Sequence, residues 1–185
     1  MMYGRKTLNL VRHELSESMA LWHTLAYSLL GFFVPFLMGH PQWLVGITVN
    51  AALILTALSL KDHKVLPVVL LPSIAVLFRG MIFGPFTIFI AYLVPFIWLG
   101  NGALVVMFKW LNVKLRLNYF ATLVLSAGVK AGLLFGATFI LYKAGLVPAI
   151  LLPAMGAMQF ATAIGGGLVA WGAIKAFKKP LFANA

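Results

Sequence analysis

Long runs of apolar residues, separated by short polar stretches, dominate the chain. The runs do not alternate between apolar and polar residues, which favours helices over the strands of a β-barrel. Backbone groups must bond internally in lipid, so each run predicts one membrane-spanning helix of about 20 residues. The predicted spans are 20–39, 43–60, 65–79, 85–108, 119–142 and 147–174.

The third run is the weakest of the predicted spans. It is only about fifteen residues long and contains Pro67 and Pro72. We therefore expect either a short tilted span or a broken helix at residues 65–79.

Composition places the protein in lipid. Of its 185 residues, 63% are hydrophobic and 9% are charged, whereas a soluble domain is about half apolar and about one quarter charged. No Pro- or Ser-rich linker divides the chain. The sequence therefore predicts an all-α membrane protein with one integral membrane domain over residues 1–185.

The formal charge of +11 is clustered between the apolar runs. This placement is typical of membrane topology signals rather than of a nucleic-acid surface. With the N-terminus inside, eleven of the fourteen basic residues lie on the inner side: Arg5, Lys6, Arg12, Lys61, Lys64, Lys109, Lys114, Arg116, Lys175, Lys178 and Lys179. We predict that both termini are cytoplasmic and that the protein crosses the cell (cytoplasmic or inner) membrane several times.

The stretch before the first run has helical periodicity. Leu8, Val11 and Leu15 fall on one face of a helix, with charged residues elsewhere. Residues 4–18 are therefore predicted to form a short amphipathic helix that lies in the membrane interface.

A weak internal repeat links the two halves of the chain. The prolines of the third run have the same spacing as Pro148 and Pro153 in the sixth. Asn50 and Lys130 occupy corresponding positions in runs two and five, 80 residues apart. Three spans per half would make an inverted repeat, as in several carriers. Chance similarity among apolar segments is the alternative.

Lys130 is the principal candidate for function. It lies near the middle of the fifth run, and ionisable residues at that depth usually face a cavity, a ligand or the bundle interior. Asn50 and Gln159 are at similar depth, although such amides often only bond across helices. Arg79, at the outer end of the third run, is a candidate for anion recognition or an anchor to lipid phosphate.

Small residues recur at four-residue spacing in the fifth run. Gly128, Gly132 and Gly136 would allow close approach of another helix. That helix would belong either to this chain or to a partner.

The sequence lacks residues that several classes of protein function require. There is no phosphate-binding loop, no nucleophile elbow and no carboxylate within a predicted span. There is no cysteine, and the four histidines form no metal motif. We therefore expect neither an enzyme nor a cofactor or metal site.

A basic six-helix chain of this size resembles the substrate-binding S components of energy-coupling factor transporters. The amphipathic start, the turn Phe83-Gly84-Pro85-Phe86 and the segment 126–131 around Lys130 are similar to that family. The family often carries an Ala-xxx-Ala docking motif in its first helix. This chain departs from that motif, since its first run has Gly31-xxx-Pro35-xxx-Gly39 instead. Gly31 and Gly39, with the glycines of the fifth run, are the residues predicted to dock a partner.

The resemblance implies capture of a small vitamin-like, anionic or metal solute at the outer face. A transmembrane coupling subunit and ATPase subunits would then drive uptake. We expect Lys130, Asn50 and Gln159 at the floor of the site, with Arg79, Trp43 and Phe83 around it. A free-standing facilitator or channel, and a non-transport accessory subunit of a larger membrane complex, remain alternatives.

Overall fold

A computed structural model describes residues 7–38, 40–83 and 87–177. In these ranges the chain is helical, without β-strands. Six helical segments are long and apolar enough to cross a membrane, so the protein is a multi-pass membrane protein. The helices are α1 (Glu17–Met38), α2 (Gln42–Ser59), α3 (Leu66–Phe83), α4 (Thr87–Phe108), α5 (Tyr119–Lys143), α6 (Leu151–Met155) and α7 (Ala157–Phe177).

The third spanning helix is longer than its apolar run indicated. A 3₁₀ turn at Asp62–Val65 leads directly into α3, which continues for 18 residues through Pro72. Pro67 lies in the first turn, where a missing N–H costs no helical hydrogen bond. The described residues of α3 are unbroken, so the expectation of a broken helix there was wrong.

The break falls instead in the sixth run. The short helix α6 contains Pro153 and ends at Gly156, whose φ of −101° and ψ of −96° interrupt the helix before α7 begins. Gly156 also lies against Phe135 of α5, where a Cβ atom would approach the ring to 2.9 Å. A glycine is therefore needed at this corner.

Helix α2 runs through the middle of the bundle. It packs most extensively against α7 and also contacts α1 and α4. The main apolar core surrounds the C-terminal half of α2, where Leu53, Ile54 and Leu58 are fully buried. We call this end of the bundle, together with the N-terminal segment and the connection between α4 and α5, the inner end, after the predicted orientation.

The N-terminal segment, residues 7–16, is not the long amphipathic helix predicted for 4–18. Thr7 and Leu8 are helical, residues 10–16 are irregular, and residues 4–6 lie outside the described ranges. Backbone N–H groups of Arg12 and His13 donate to the carbonyl of Leu58. The backbone groups of this segment therefore serve tertiary contacts instead of a helix, and Leu15 packs against the core.

Two ion pairs hold the start of the chain to the connection between α2 and α3. Lys61 Nζ donates to Glu14 Oε1 at 2.6 Å, and Lys64 pairs with Glu17. The hydrogen bond and charge of Lys61 lower the pKa of Glu14. This contribution to stability is present above the ordinary carboxyl pKa and disappears as the pH falls below it. Both members of the Glu14 pair are exposed, so the contribution is small.

Helix packing does not follow the two-fold symmetry that the predicted repeat would require. Such a repeat exchanges α2 with α5 and α3 with α7. The interface of α2 with α7 is the most extensive in the described bundle, whereas its counterpart between α5 and α3 is minor. The inverted repeat stays a prediction that the packing does not support.

The glycines of α5 lie on its outer surface. A Cβ atom added at Gly128, Gly132 or Gly136 would meet nothing within 4 Å in the described structure. The close approach of helices occurs instead at α7, where a Cβ atom on Gly166 would lie 2.7 Å from the backbone nitrogen of Ala51. These three glycines therefore do not serve packing within the described bundle.

Candidate functional site: a buried lysine bonded by two asparagines

Lys130 is buried in the centre of the bundle. It is the twelfth of the 25 residues of α5, and only 2% of it is exposed. Ser126 and Ala127 precede it on the same buried face of α5. The side chain therefore points into the protein instead of reaching along the helix to the membrane surface.

Two asparagines from other helices accept hydrogen bonds from the lysine. Lys130 Nζ donates to Asn50 Oδ1 of α2 at 2.6 Å and to Asn101 Oδ1 of α4 at 2.8 Å. Both asparagines are 1–2% exposed. Amide oxygens solvate the ammonium group but do not neutralise it.

The amide nitrogens extend the contacts to two more helices. Asn50 Nδ2 donates to Thr162 Oγ1 of α7 at 3.2 Å, and Asn101 Nδ2 donates to the carbonyl of Val69 in α3 at 3.1 Å. Thr162 Oγ1 in turn donates to the carbonyl of Met158. We call Lys130, Asn50, Asn101 and Thr162 the Lys130 network, which joins five spanning helices at mid-depth.

The charge of Lys130 has no acidic counterpart near it. The chain contains three acidic residues, namely Glu14, Glu17 and Asp62. All three lie at the inner end, in the connection between α2 and α3 or in residues paired with it. In its protonated form, a buried lysine without a carboxylate partner creates a positive potential, which is strong because the surroundings are poorly polarisable. The arrangement suits an anionic group that approaches the centre of the bundle.

Buried hydroxyl groups continue along the same face of α5 toward the inner end. Thr122 and Ser126 precede Lys130 by eight and four residues, and both are fully buried. Neither hydroxyl has a hydrogen-bond partner within the described ranges, and the same holds for Thr56 of α2. Unsatisfied buried hydroxyls are costly, so this inner half of the bundle core offers polar groups with unused bonding capacity.

The fold brings two residues of the predicted site together. Lys130 and Asn50 are in direct contact as expected for its floor. Thr162 takes the place expected of Gln159, whose side chain is half-buried and whose backbone carbonyl accepts a 3.3 Å bond from the Thr162 hydroxyl. The role of these residues in binding a solute stays a prediction.

The part of Arg79, Trp43 and Phe83 in a binding site stays a prediction. Arg79 donates to the carbonyl of Phe36 at 2.9 Å, which joins α3 to α1. Trp43, at the start of α2, is 52% exposed. Phe83 ends α3, and its side chain lies outside the described part of the structure. Of the glycines predicted to dock a partner, Gly31 is buried against Pro72 and Gly39 lies outside the described residues.

Asn101 and Thr162 are the network members that the sequence did not reveal. Asn101 lies between two glycines in the fourth run, and a polar amide within an apolar run indicates a hydrogen bond to another helix. Thr162 carried no such signal, because threonine commonly bonds to its own helix.

A second buried lysine shows a different arrangement. Lys109, the first residue after α4, is fully buried and donates to the carbonyls of Leu10 and Leu60 at 2.6 and 2.7 Å. Those carbonyls belong to the N-terminal segment and to the end of α2. Lys109 therefore joins chain segments at the inner end, whereas Lys130 bonds only to side chains of other spanning helices.

Comparison with known proteins adds no identification. No protein-family model matches the chain, and no curated protein or solved structure matches it.

Proposed function

We propose that this protein is a solute-binding subunit of a membrane importer, and that it binds a small anionic or polar solute at the Lys130 network. The observation that carries the proposal is the buried Lys130 side chain at mid-depth, with two amide partners and no carboxylate. Ionisable residues at such depth mark substrate sites in membrane proteins because their burial is costly without a function.

The chemistry of the network favours an anionic solute. An ammonium group has three N–H donors, and the two amide oxygens use two of them. A carboxylate or phosphate would supply the missing negative charge and form charge-assisted bonds about twice as strong as neutral ones. The amides of Asn50 and Asn101 would then turn their nitrogens toward the same anion.

The proposal assigns the energy source to other subunits. The sequence has no nucleotide-binding loop and no spanning carboxylate for ion coupling. In an energy-coupling factor importer of the cell membrane, the chain would capture its solute from the outer face, and separate ATPase subunits would drive release. A free-standing facilitator with the same site would transport without them.

Native mass spectrometry of the purified protein tests the proposal. We expect the wild-type chain to retain a small molecule, or to gain thermal stability from a panel of small carboxylates and phosphate esters. Lys130→Met should abolish either effect, since it removes the charge at similar side-chain length. Lys143→Met is the matched control, because that lysine is exposed and lies at the outer end of α5 beside Phe139.

Two results would contradict the proposal. One is a wild-type protein that retains nothing and responds to no member of the panel. The other is equal binding by wild type and Lys130→Met when both have the same circular dichroism and elution profile. Flux of the same solute across liposome membranes that contain only this chain would show that the protein is a free-standing facilitator and not an importer subunit.

A second candidate, the accessory subunit of a larger complex, has one observation in its favour. Gly128, Gly132 and Gly136 form a small-residue face on α5 that no helix of the described bundle covers. Such faces permit close packing against a partner helix. The same mass measurement separates the candidates: a partner protein bound without any small molecule favours the accessory subunit.

A further inference from the structure

A cavity lies at the inner end of the bundle, away from the Lys130 network. Its volume is about 700 Å³. Three parts of the chain form its walls: the N-terminal segment, the connection from α4 to the start of α5, and the end of α7. Lys130 is eleven residues further along α5 than Tyr119, which is about 16 Å of helix. We call this space the inner cavity.

Two guanidinium groups line the inner cavity. Arg12 comes from the N-terminal segment and Arg116 from the connection before α5. Arg12 Nη1 donates to Asn112 Oδ1 at 3.0 Å, and Asn112 is held in turn by its bond to the carbonyl of Leu117. For Arg116, the described residues provide no hydrogen-bond or ion-pair partner. One arginine is thus positioned by the fold, and the other retains its donors.

No acidic residue offsets these two charges. Glu14 is paired with Lys61, Glu17 with Lys64, and neither they nor Asp62 line the inner cavity. The N-terminus of α5 also meets the inner cavity at Asn118, whose side chain accepts a bond from the N–H of Phe120 at 2.8 Å. The inner cavity is therefore basic, and arginine is the residue best suited to bidentate bonds with phosphate oxygens.

The opposite wall is aromatic and partly exposed. Phe120 and Trp171 lie with ring centroids 5.5 Å apart, and Phe120 is 44% exposed. Lys175 Nζ sits 3.9 Å from the centroid of the Trp171 ring. Large apolar side chains beside basic groups at the end of spanning helices are typical of the membrane interface. A soluble anion would have no use for the apolar wall, whereas a lipid has both a phosphate and acyl chains.

We propose that the inner cavity binds the phosphate group of an anionic phospholipid from the inner leaflet. Arg116 and the free donors of Arg12 bond the phosphate oxygens, and Phe120 and Trp171 lie beside the first part of the acyl chains. The inner leaflet supplies anionic lipid next to basic residues. This inference is independent of the proposed function because it uses none of the residues of the Lys130 network.

Lipid binding to the delipidated protein tests the inference. Native mass spectrometry in a neutral detergent would compare three probes: phosphatidylglycerol, phosphatidylcholine and inorganic phosphate. We expect one phosphatidylglycerol per chain, bound in preference to phosphatidylcholine. Arg116→Gln should weaken that binding about tenfold or more, as expected for the loss of a charge-assisted bond. Arg116→Lys keeps the positive charge but loses the bidentate guanidinium group, so its affinity for phosphatidylglycerol should lie between those of wild type and Arg116→Gln.

Matched controls separate this site from general attraction. Lys143→Gln removes one positive charge at the other end of α5 and should leave phosphatidylglycerol binding unchanged. Lys130→Met should also leave it unchanged, so failure of the proposed function and failure of this inference are distinguishable. Arg116 is exposed, so Arg116→Gln is expected to fold, which circular dichroism checks.

Three results would overturn the inference. Equal binding of the two lipids would indicate general solvation by lipid. Unchanged binding by Arg116→Gln would exclude the arginine site. Binding of inorganic phosphate without any preference among lipids would assign the inner cavity to a soluble phosphate compound.

Discussion

At the scale of single residues, the Lys130 network is the feature that distinguishes this bundle from an ordinary set of apolar helices. One ammonium group and three uncharged side chains are joined by hydrogen bonds of 2.6–3.2 Å. Each amide uses both its oxygen and its nitrogen. Removing one member therefore leaves a buried partner unsatisfied, and the cost depends on what else that partner can bond.

Replacing Asn50 by alanine should destabilise the protein by about 1–2 kcal/mol, near the upper range for hydrogen bonds between membrane helices. The variant removes one acceptor of Lys130 and the donor to Thr162. Thr48→Ala is the control on the same helix, because the Thr48 hydroxyl bonds only to the carbonyl of Leu44. Unfolding in mixed micelles followed by circular dichroism measures both. Equal losses in the two variants would contradict the importance of the network.

At the scale of helices, close packing depends on where glycines meet backbone. The contact of α7 with α2 is tight at Gly166, where an added Cβ would lie within 2.8 Å of backbone atoms of Ile47 and Ala51. Backbone atoms cannot move aside as a flexible side chain does. A Cβ atom added at Gly172, further along α7, would meet nothing within 4 Å in the described structure. Gly166 is therefore required for close packing of α7 against α2, whereas Gly172 on the same helix is not.

Gly166→Ala should destabilise the protein by about 1–3 kcal/mol, since the methyl group forces α7 away from α2. Gly172→Ala should have the opposite sign, with a gain of up to about 1 kcal/mol from helix propensity. Thermal unfolding of the two variants beside wild type measures the difference. A Gly166→Ala variant as stable as wild type would show that the two helices are less closely packed than described.

At the scale of the whole molecule, several bonds tie the inner end together. The N-terminal segment is bonded to Leu58 and Lys109, and ion pairs hold it to the connection between α2 and α3. Most basic residues of the described ranges also lie at this end. If the predicted orientation is correct, this end faces the cytoplasm, where anionic lipids and any ATPase partners would meet it.

Cysteine labelling tests the orientation directly, because the natural chain has no cysteine. We would place single cysteines at two exposed positions, Leu115→Cys at the inner end and Ala144→Cys at the outer end. In intact cells, a membrane-impermeant maleimide should modify Ala144→Cys and should modify Leu115→Cys only after permeabilisation. The opposite pattern would mean that the termini face outward.

The sequence by itself determined the number and approximate bounds of the spanning helices. Each span is a local property: an uninterrupted apolar run must form a helix in lipid because its backbone has no other partners. Lys130 and Asn50 were identifiable for the same reason, since a polar side chain within such a run is conspicuous. The amphipathic helix predicted over 4–18 is wrong in its described part, because periodicity does not show the tertiary contacts that use the backbone of Arg12 and His13.

Only the tertiary structure decided which face of each helix points inward. Lipid and protein interior are similarly apolar, so hydrophobicity does not orient a membrane helix as it orients a soluble one. For that reason the glycines of α5 turned out to lie on its surface and those of α7 in the packed interface. The partners of Lys130 depended on the same rotations, which brought Asn101 and Thr162 to its network.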